Sequence, residues 1–166
     1  MKKIILCSLL LINLQAANIL PTVKIADKDG GRLDGSAWST SEMKGKVHVL
    51  FYVDPDEKDL NEEASQAIKK ENFPLDKYAA VAVINMKATW LPNFALDSAL
   101  KEKQKEYPDT LYVKDLTKSL LKKWSLKDDS SNILLFNKKG ENIYTIFGKA
   151  KSSQIKVLIS LIKLNL

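Results

Sequence analysis

Two stretches of the chain are nearly unbroken in apolar residues. Residues 47–53 (VHVLFYV) and 78–84 (YAAVAVI) are short and rich in β-formers, the pattern of strands covered on both faces. Between them Leu60, Ala64, Ala67 and Ile68 recur at helical spacing and predict one apolar stripe packed on a sheet. Asp54-Pro55-Asp56 closes the first strand, because proline cannot continue a central ladder and biases its predecessor away from the helical region. Asp54, Asp56, Glu57 and Asp59 cluster where the helix should begin, which suits the helix dipole. Phe73-Pro74 ends it.

The alternation continues downstream. After a loop containing Trp90 and Pro92, residues 94–105 read as a helix with Leu96, Ala99, Leu100 and Lys103 on one face. Residues 110–113 form a short strand, and Asp115 caps a helix carrying Leu116, Leu120, Leu121 and Trp124. The polar segment 128–132 leads to strands at 133–136 and 142–147, joined across Asn137-Lys138-Lys139-Gly140 as a hairpin. Ser152 or Ser153 caps a last helix with Ile155, Leu158, Ile159 and Ile162. Near the other end, 22–26 reads as an edge strand or the start of a hairpin, Asp29-Gly30-Gly31 as a turn, and 38–43 as a short helical turn. The order β, β, α, β, α, β, α, β, β, α predicts an α/β fold with crossover helices first and antiparallel edges last. It fits a thioredoxin-like three-layer sandwich, a mixed central sheet flanked by helices. A flavodoxin-like doubly wound sheet is the alternative; the closing hairpin and single helix favour the former.

Residues 1–17 have a different character. Lys2 and Lys3 precede an apolar run over 4–14, and Ala16 and Ala17 supply small residues for cleavage, a secretory signal pattern. The run is about 11 residues, against roughly 20 for a bilayer span. The expected organisation is therefore a signal peptide over 1–17 and one domain over 18–166, located in the periplasm with no stable membrane span after processing. Cys7 is the only cysteine and lies inside the signal. Its removal leaves no thiol for a disulfide, a thiolate metal site or dithiol redox chemistry. The chain carries a net charge of +6, and losing Lys2 and Lys3 leaves 24 basic against 20 acidic residues. Arg32 is the only arginine, whereas phosphate and base recognition favour the guanidinium fork. No nucleic-acid partner is expected.

The segment from Lys44-Gly45-Lys46-Val47 to Val53, preceded by Asp27-Lys28-Asp29-Gly30, resembles exported thioredoxin-like and peroxiredoxin-like proteins. In those families a pair of cysteines opens the first helix, and a cis-proline precedes the penultimate strand. Here the matching positions are Glu57-Lys58-Asp59-Leu60 and a site near Ser131, so the thiols and the proline are both absent. A longer resemblance is to the YtfJ family of exported thioredoxin-like proteins of uncertain function. It runs through Gly45-Lys46-Val47, Asn61, Ala67-Ile68-Lys69, Pro74, Asp76, Tyr78 and Ile84-Asn85. It continues through Pro92, Tyr107-Pro108, Asp115, Trp124, Leu126 and Ser130-Ser131. This resemblance implies fold and location and supplies no catalytic residue. The family has been labelled a transcriptional regulator, a role that export argues against.

A thioredoxin fold would bring the loop after the central strand beside the loop before the hairpin. The candidate binding face is thus Asp54, Asp56, Glu57, Asp59, Trp90, Asp128, Asp129, Ser130 and Ser131. Its carboxylates could serve acid/base work or hold a hard cation, or simply cap helices and turns; no EF-hand spacing supports a metal, and neither a metal nor a cofactor is expected. His48, the only histidine, could serve as a general base but lacks a thiol partner, and reads as a partly buried, hydrogen-bonded strand residue. Trp124 shares a stripe with leucines and reads as core; Trp90 could close the core or line a groove. The functional expectation is a non-redox binding or accessory protein, its partner an unknown protein or small-molecule ligand. A carboxylate- or divalent-cation-dependent enzyme at the acidic loops is the alternative, and DNA-binding regulation a disfavoured second one.

Overall fold

The computed structural model describes residues 17–166, so the expected signal peptide, with Cys7, lies almost entirely outside the described residues. In chain order the strands are β1 (Lys24–Ile25), β2 (Gly30–Arg32), β3 (Trp38–Ser39), β4 (Val47–Val53), β5 (Tyr78–Asn85), β6 (Thr110–Asp115), β7 (Ser131–Phe136) and β8 (Asn142–Phe147). The helices are α1 (Glu62–Lys70), α2 (Asn93–Glu106), α3 (Ser119–Trp124) and α4 (Ser152–Asn165). Six strands form one sheet in the order β2-β6-β5-β4-β7-β8, while β1 and β3 make a separate two-stranded ribbon. β4, β5 and β6 are mutually parallel, and β2, β7 and β8 run antiparallel to their neighbours.

The sheet is covered on both faces, as the unbroken apolar strands require. On one face Val47 and Val49 of β4 pack with Ala64 and Ile68 of α1 and Leu158 and Ile162 of α4. On that same face Ala82 and Ile84 of β5 meet Leu96 and Leu100 of α2. On the other face Leu50, Val81, Val83 and Val113 pack with Leu120 and Trp124 of α3 and with Ile25 and Trp38 of the ribbon. The β5-to-β6 crossover therefore uses a different face from the β6-to-β7 connection. Among the described residues no helix is long and apolar enough to cross a membrane.

Four local expectations are corrected. Residues 38–43 do not form one helical turn: Trp38 and Ser39 pair with β1, and only Thr40–Glu42 coil into a 3-10 turn. The Glu42 carboxylate accepts the Ser39 N–H at 2.8 Å and holds that switch in place. Gly30 and Gly31 are not merely a turn but an edge strand against β6. Gly30 has φ 118°, and a Cβ there would collide with the Lys114 carbonyl. The acidic cluster after β4 opens a 3-10 turn at Pro55–Glu57, with α1 proper starting only at Glu62. Finally, α3 starts four residues after Asp115, which nonetheless caps it from the end of β6.

Candidate functional site

Strand register assembles the site. Val53 pairs with Ile84 and Asn85 with Asp115, so Asp54, Asn85 and Asp115 stand side by side at the C-terminal ends of three parallel strands. All three are buried, at 1%, 0% and 0% exposure. Each finds the partners that a buried polar group requires. The two Asp54 oxygens accept from the Asn85 amide and the Ser130 N–H, both at 2.7 Å. The Asp54 N–H also donates to the Ser130 carbonyl at 3.0 Å. The loop after β4 and the loop before β7 are therefore in direct contact.

Asp115 accepts the N–H groups of Thr117, Ser119 and Leu120 at 3.2, 2.9 and 3.0 Å, and the Tyr52 hydroxyl at 3.3 Å. Asn61, one residue before α1, donates to the carbonyls of Ser131 and Gly148 at 3.2 and 3.1 Å and accepts the Ala150 N–H at 2.8 Å. Asn132 bonds both ways with the Lys127 backbone. Together with Asp54 and Asn85, these side chains tie the loops of this rim to the strand ends. Sequence reasoning treated Asn61 and Asn85 only as family matches and Asp115 only as a family match and a helix cap. The available signal was an amide or carboxylate ending an otherwise apolar run.

The remaining expected residues fall into two groups. Asp128 and Asp129 reach Asp54: carboxylate oxygens of the three lie within 4.8 Å of one another. Lys118 grips both oxygens of Asp128 at 2.8 and 2.7 Å. Asp54 accepts one bond on each oxygen and Lys118 pairs with Asp128, so two of the three carboxylates are tied into the hydrogen-bonded turns. Burial pushes the Asp54 carboxyl above its ordinary value; the Ser130 and Asn85 donors oppose this, and the neighbouring Asp128 and Asp129 add to it. The Lys118 hydrogen bond instead holds Asp128 below the ordinary range. Ser131 is buried at the start of β7, and no cis peptide occurs among the described residues.

The second group lies along the edge of the rim. Asp56 accepts the Thr89 hydroxyl at 2.9 Å, joining the β4–α1 loop to the β5–α2 loop. Glu57 follows in the same 3-10 turn, and Asp59 is exposed and ion-paired with Lys58. Next to Thr89, Trp90 is 85% exposed and Phe94, in the first turn of α2, is 75% exposed. Trp90 therefore does not close the core. Trp124 does: it is buried, its indole donates to the Pro21 carbonyl at 2.8 Å, and its ring meets Phe136 at 5.6 Å. His48 is buried with Nδ1 3.0 Å from the Lys46 carbonyl, far along β4 from the rim, and burial holds its pKa below the usual value.

Residues 14–165 match the family described as bacterial protein of unknown function (YtfJ_HI0045). The chain belongs to this YtfJ family. A curated relative, the uncharacterized protein YtfJ of Escherichia coli (strain K12), is 23% identical over 153 residues, spanning 87% of this chain and 83% of that protein. Solved structures with the same fold include a thiol-disulfide isomerase from Corynebacterium glutamicum, with TM-score 0.63 and 19% identity over 89% of this chain and 96% of that one. The exposed lipoprotein thioredoxin of Streptococcus pneumoniae strain TIGR4 aligns with TM-score 0.61 and 15% identity over 87% of this chain and 99% of its own. The thioredoxin-like sandwich is thereby established for this YtfJ-family chain. It contains one cysteine, so no dithiol pair can form within it.

Proposed function

We propose that this YtfJ-family chain is an exported periplasmic protein that binds a polypeptide partner at the rim and performs no redox chemistry. The observation that carries the reading is the exposure of both Trp90 and Phe94, four residues apart at the entry to α2, next to the Asp56–Thr89 bond that joins two loops of the rim. Large aromatics left exposed near one another are characteristic of interaction surfaces. Asp56, bonded to Thr89, and Glu57 beside it in the same 3-10 turn place negative charge on the Asp56 side of Trp90. A partner segment with an apolar tip and basic flanks complements it. The Lys2-Lys3 and 4–14 pattern supports export, with residues 18–166 as the mature domain. The positions that would carry thiols, Glu57 to Leu60, support the non-redox reading.

Two measurements test it. The purified mature protein should reduce insulin disulfides and hydroperoxides no faster than buffer, and cell fractionation should place it in the periplasm. A photo-cross-linking residue at position 90 should yield a discrete polypeptide adduct in cells, and one at the exposed Leu164 should not. Disulfide turnover, cytoplasmic retention or identical adducts from both positions would each overturn the reading.

A further inference from the structure

Beside the rim lies a separate crevice. Its volume is about 430 Å³, and it opens between the β5–α2 and β6–α3 connections. Met86, Lys87, Thr89, Leu91 and Asn93 line it from the first, and Leu116 and Thr117 from the second. Lys28 closes it from the turn before β2, held there because the Leu116 N–H donates to the Asp29 carbonyl at 2.9 Å.

Three features converge on it. First, β5 and β6 are adjacent parallel strands whose following helices cover opposite faces of the sheet. In open α/β sheets this divergence creates the crevice in which ligands sit, beyond the carboxyl ends of the strands. Second, neither Lys28 nor Lys87 has a carboxylate or other side-chain partner among the described residues, although Lys114 and Lys118 nearby are both ion-paired. Two ammonium groups that form no ion pair thus border one cavity, although Asp27 and Asp29 flank Lys28 in the chain. Third, Met86, Leu91 and Leu116 supply apolar wall, while Thr89, Asn93 and Thr117 supply hydrogen-bonding groups. The adjoining first turn of α2 carries no acidic side chain, and the Asp56 carboxylate nearest the wall accepts the Thr89 hydroxyl at 2.9 Å.

We propose that this crevice binds a small organic anion: a carboxylate or phosphate monoester on a short apolar stem. The two lysines take the charge, and the Met86–Leu91–Leu116 wall takes the stem. The site lies on the β5–β6 side of the sheet and involves neither Asp54 nor the loop before β7. It stands or falls separately from polypeptide binding at Trp90.

The test is an amide NMR titration of the mature protein with four probes: monobutyl phosphate, pentanoate, inorganic phosphate and n-butanol. Saturable shifts are expected at Lys87, Asn93, Leu116 and Thr117 with at least one of the first two. Inorganic phosphate should bind more weakly and n-butanol not at all; the tighter of the two amphiphiles decides between phosphate and carboxylate. The K28Q/K87Q protein should lose about tenfold or more in affinity, since each lysine contributes one charge-assisted contact. A K101Q/K123Q control, with the same charge change elsewhere, should titrate like the wild type. Both lysines are exposed and unbonded, so the variant's amide spectrum away from the crevice reports that it folds. Affinity should also fall as sodium chloride is raised. Shifts that never saturate, equal binding of n-butanol, or unchanged affinity in K28Q/K87Q would overturn the proposal.

Discussion

At their C-terminal ends β4, β5 and β6 run into Asp54, Asn85 and Asp115, three buried polar side chains with every bond satisfied. At the opposite end β4 and β5 begin with Val47 and Tyr78, and the structure is packed with rings and aliphatics. There the Tyr78 ring meets Phe73 at 5.2 Å in a tilted contact, and its hydroxyl is the one buried side-chain polar atom among the described residues without a hydrogen-bond partner. The two ends use burial differently. The base is held by apolar packing that tolerates a stray hydroxyl at some cost. The rim is held by directional bonds that fix loop against strand, so it stays ordered without a disulfide. An acidic and aromatic surface can then be displayed above it at defined positions.

The sharpest way to break this contrast is at Asp115. Asp115→Ala removes the acceptor for three backbone N–H groups and the Tyr52 hydroxyl, and should lower unfolding free energy by about 3 kcal/mol. Urea denaturation measures it; a loss below about 1 kcal/mol would mean that water satisfies the freed groups. Asp54→Ala comes next, at about 2 kcal/mol, because two donors lose their acceptor. Its effect should also raise amide exchange at Ser130, since that N–H is bonded to Asp54 alone.

At the base the sign reverses. Tyr78→Phe deletes an unpartnered hydroxyl and should stabilise the fold by about 1 kcal/mol. A destabilised variant would show that a buried water serves that hydroxyl.

A smaller effect separates two carboxylates within the rim. Asp54 is raised by burial, so the native state holds its proton more tightly than the unfolded chain does. Its contribution to stability therefore grows as pH falls from neutral through its native pKa. Asp128 is lowered by Lys118, and its contribution is present above the ordinary aspartate value and is lost as pH falls through its native pKa. Carboxyl-carbon NMR titration should place the two on opposite sides of the ordinary value; Lys118→Gln should move Asp128 upward. The smallest expected effect concerns cations. Ca²⁺, Mg²⁺, Mn²⁺ and Zn²⁺ should leave the melting temperature unchanged, because Lys118 already neutralises Asp128 and both Asp54 oxygens are bonded. A clear rise with any one of them would turn the acidic turn into a metal site and revive the carboxylate chemistry.

The order of the longer elements, the mixed sheet, the core position of Trp124 and the hydrogen-bonded strand position of His48 were legible along the chain. They follow from local periodicity: unbroken apolar runs, helical stripes, and proline or glycine at the breaks. The nearness of the acidic loops was also expected, because the topology itself brings the loop after the central strand to the loop before the hairpin; whether they touch was settled only by the Asp54–Ser130 bonds. What the chain order could not convey was lateral register. The alignment of Asp54 with Asn85 and Asp115 depends on which residues of β4, β5 and β6 pair, and a one-residue slip would send each side chain to the other face. The short strands around Gly30 and Trp38 were missed for a related reason: two or three residues carry no period, and only distant pairing partners make them strands. The exposure of Trp90, open between core and groove in the sequence, was likewise decided by what packs beside it. Local pattern thus determined what each segment is, and long-range pairing determined which polar groups meet, because backbone propensity is written residue by residue while contacts exist only once the strands are aligned.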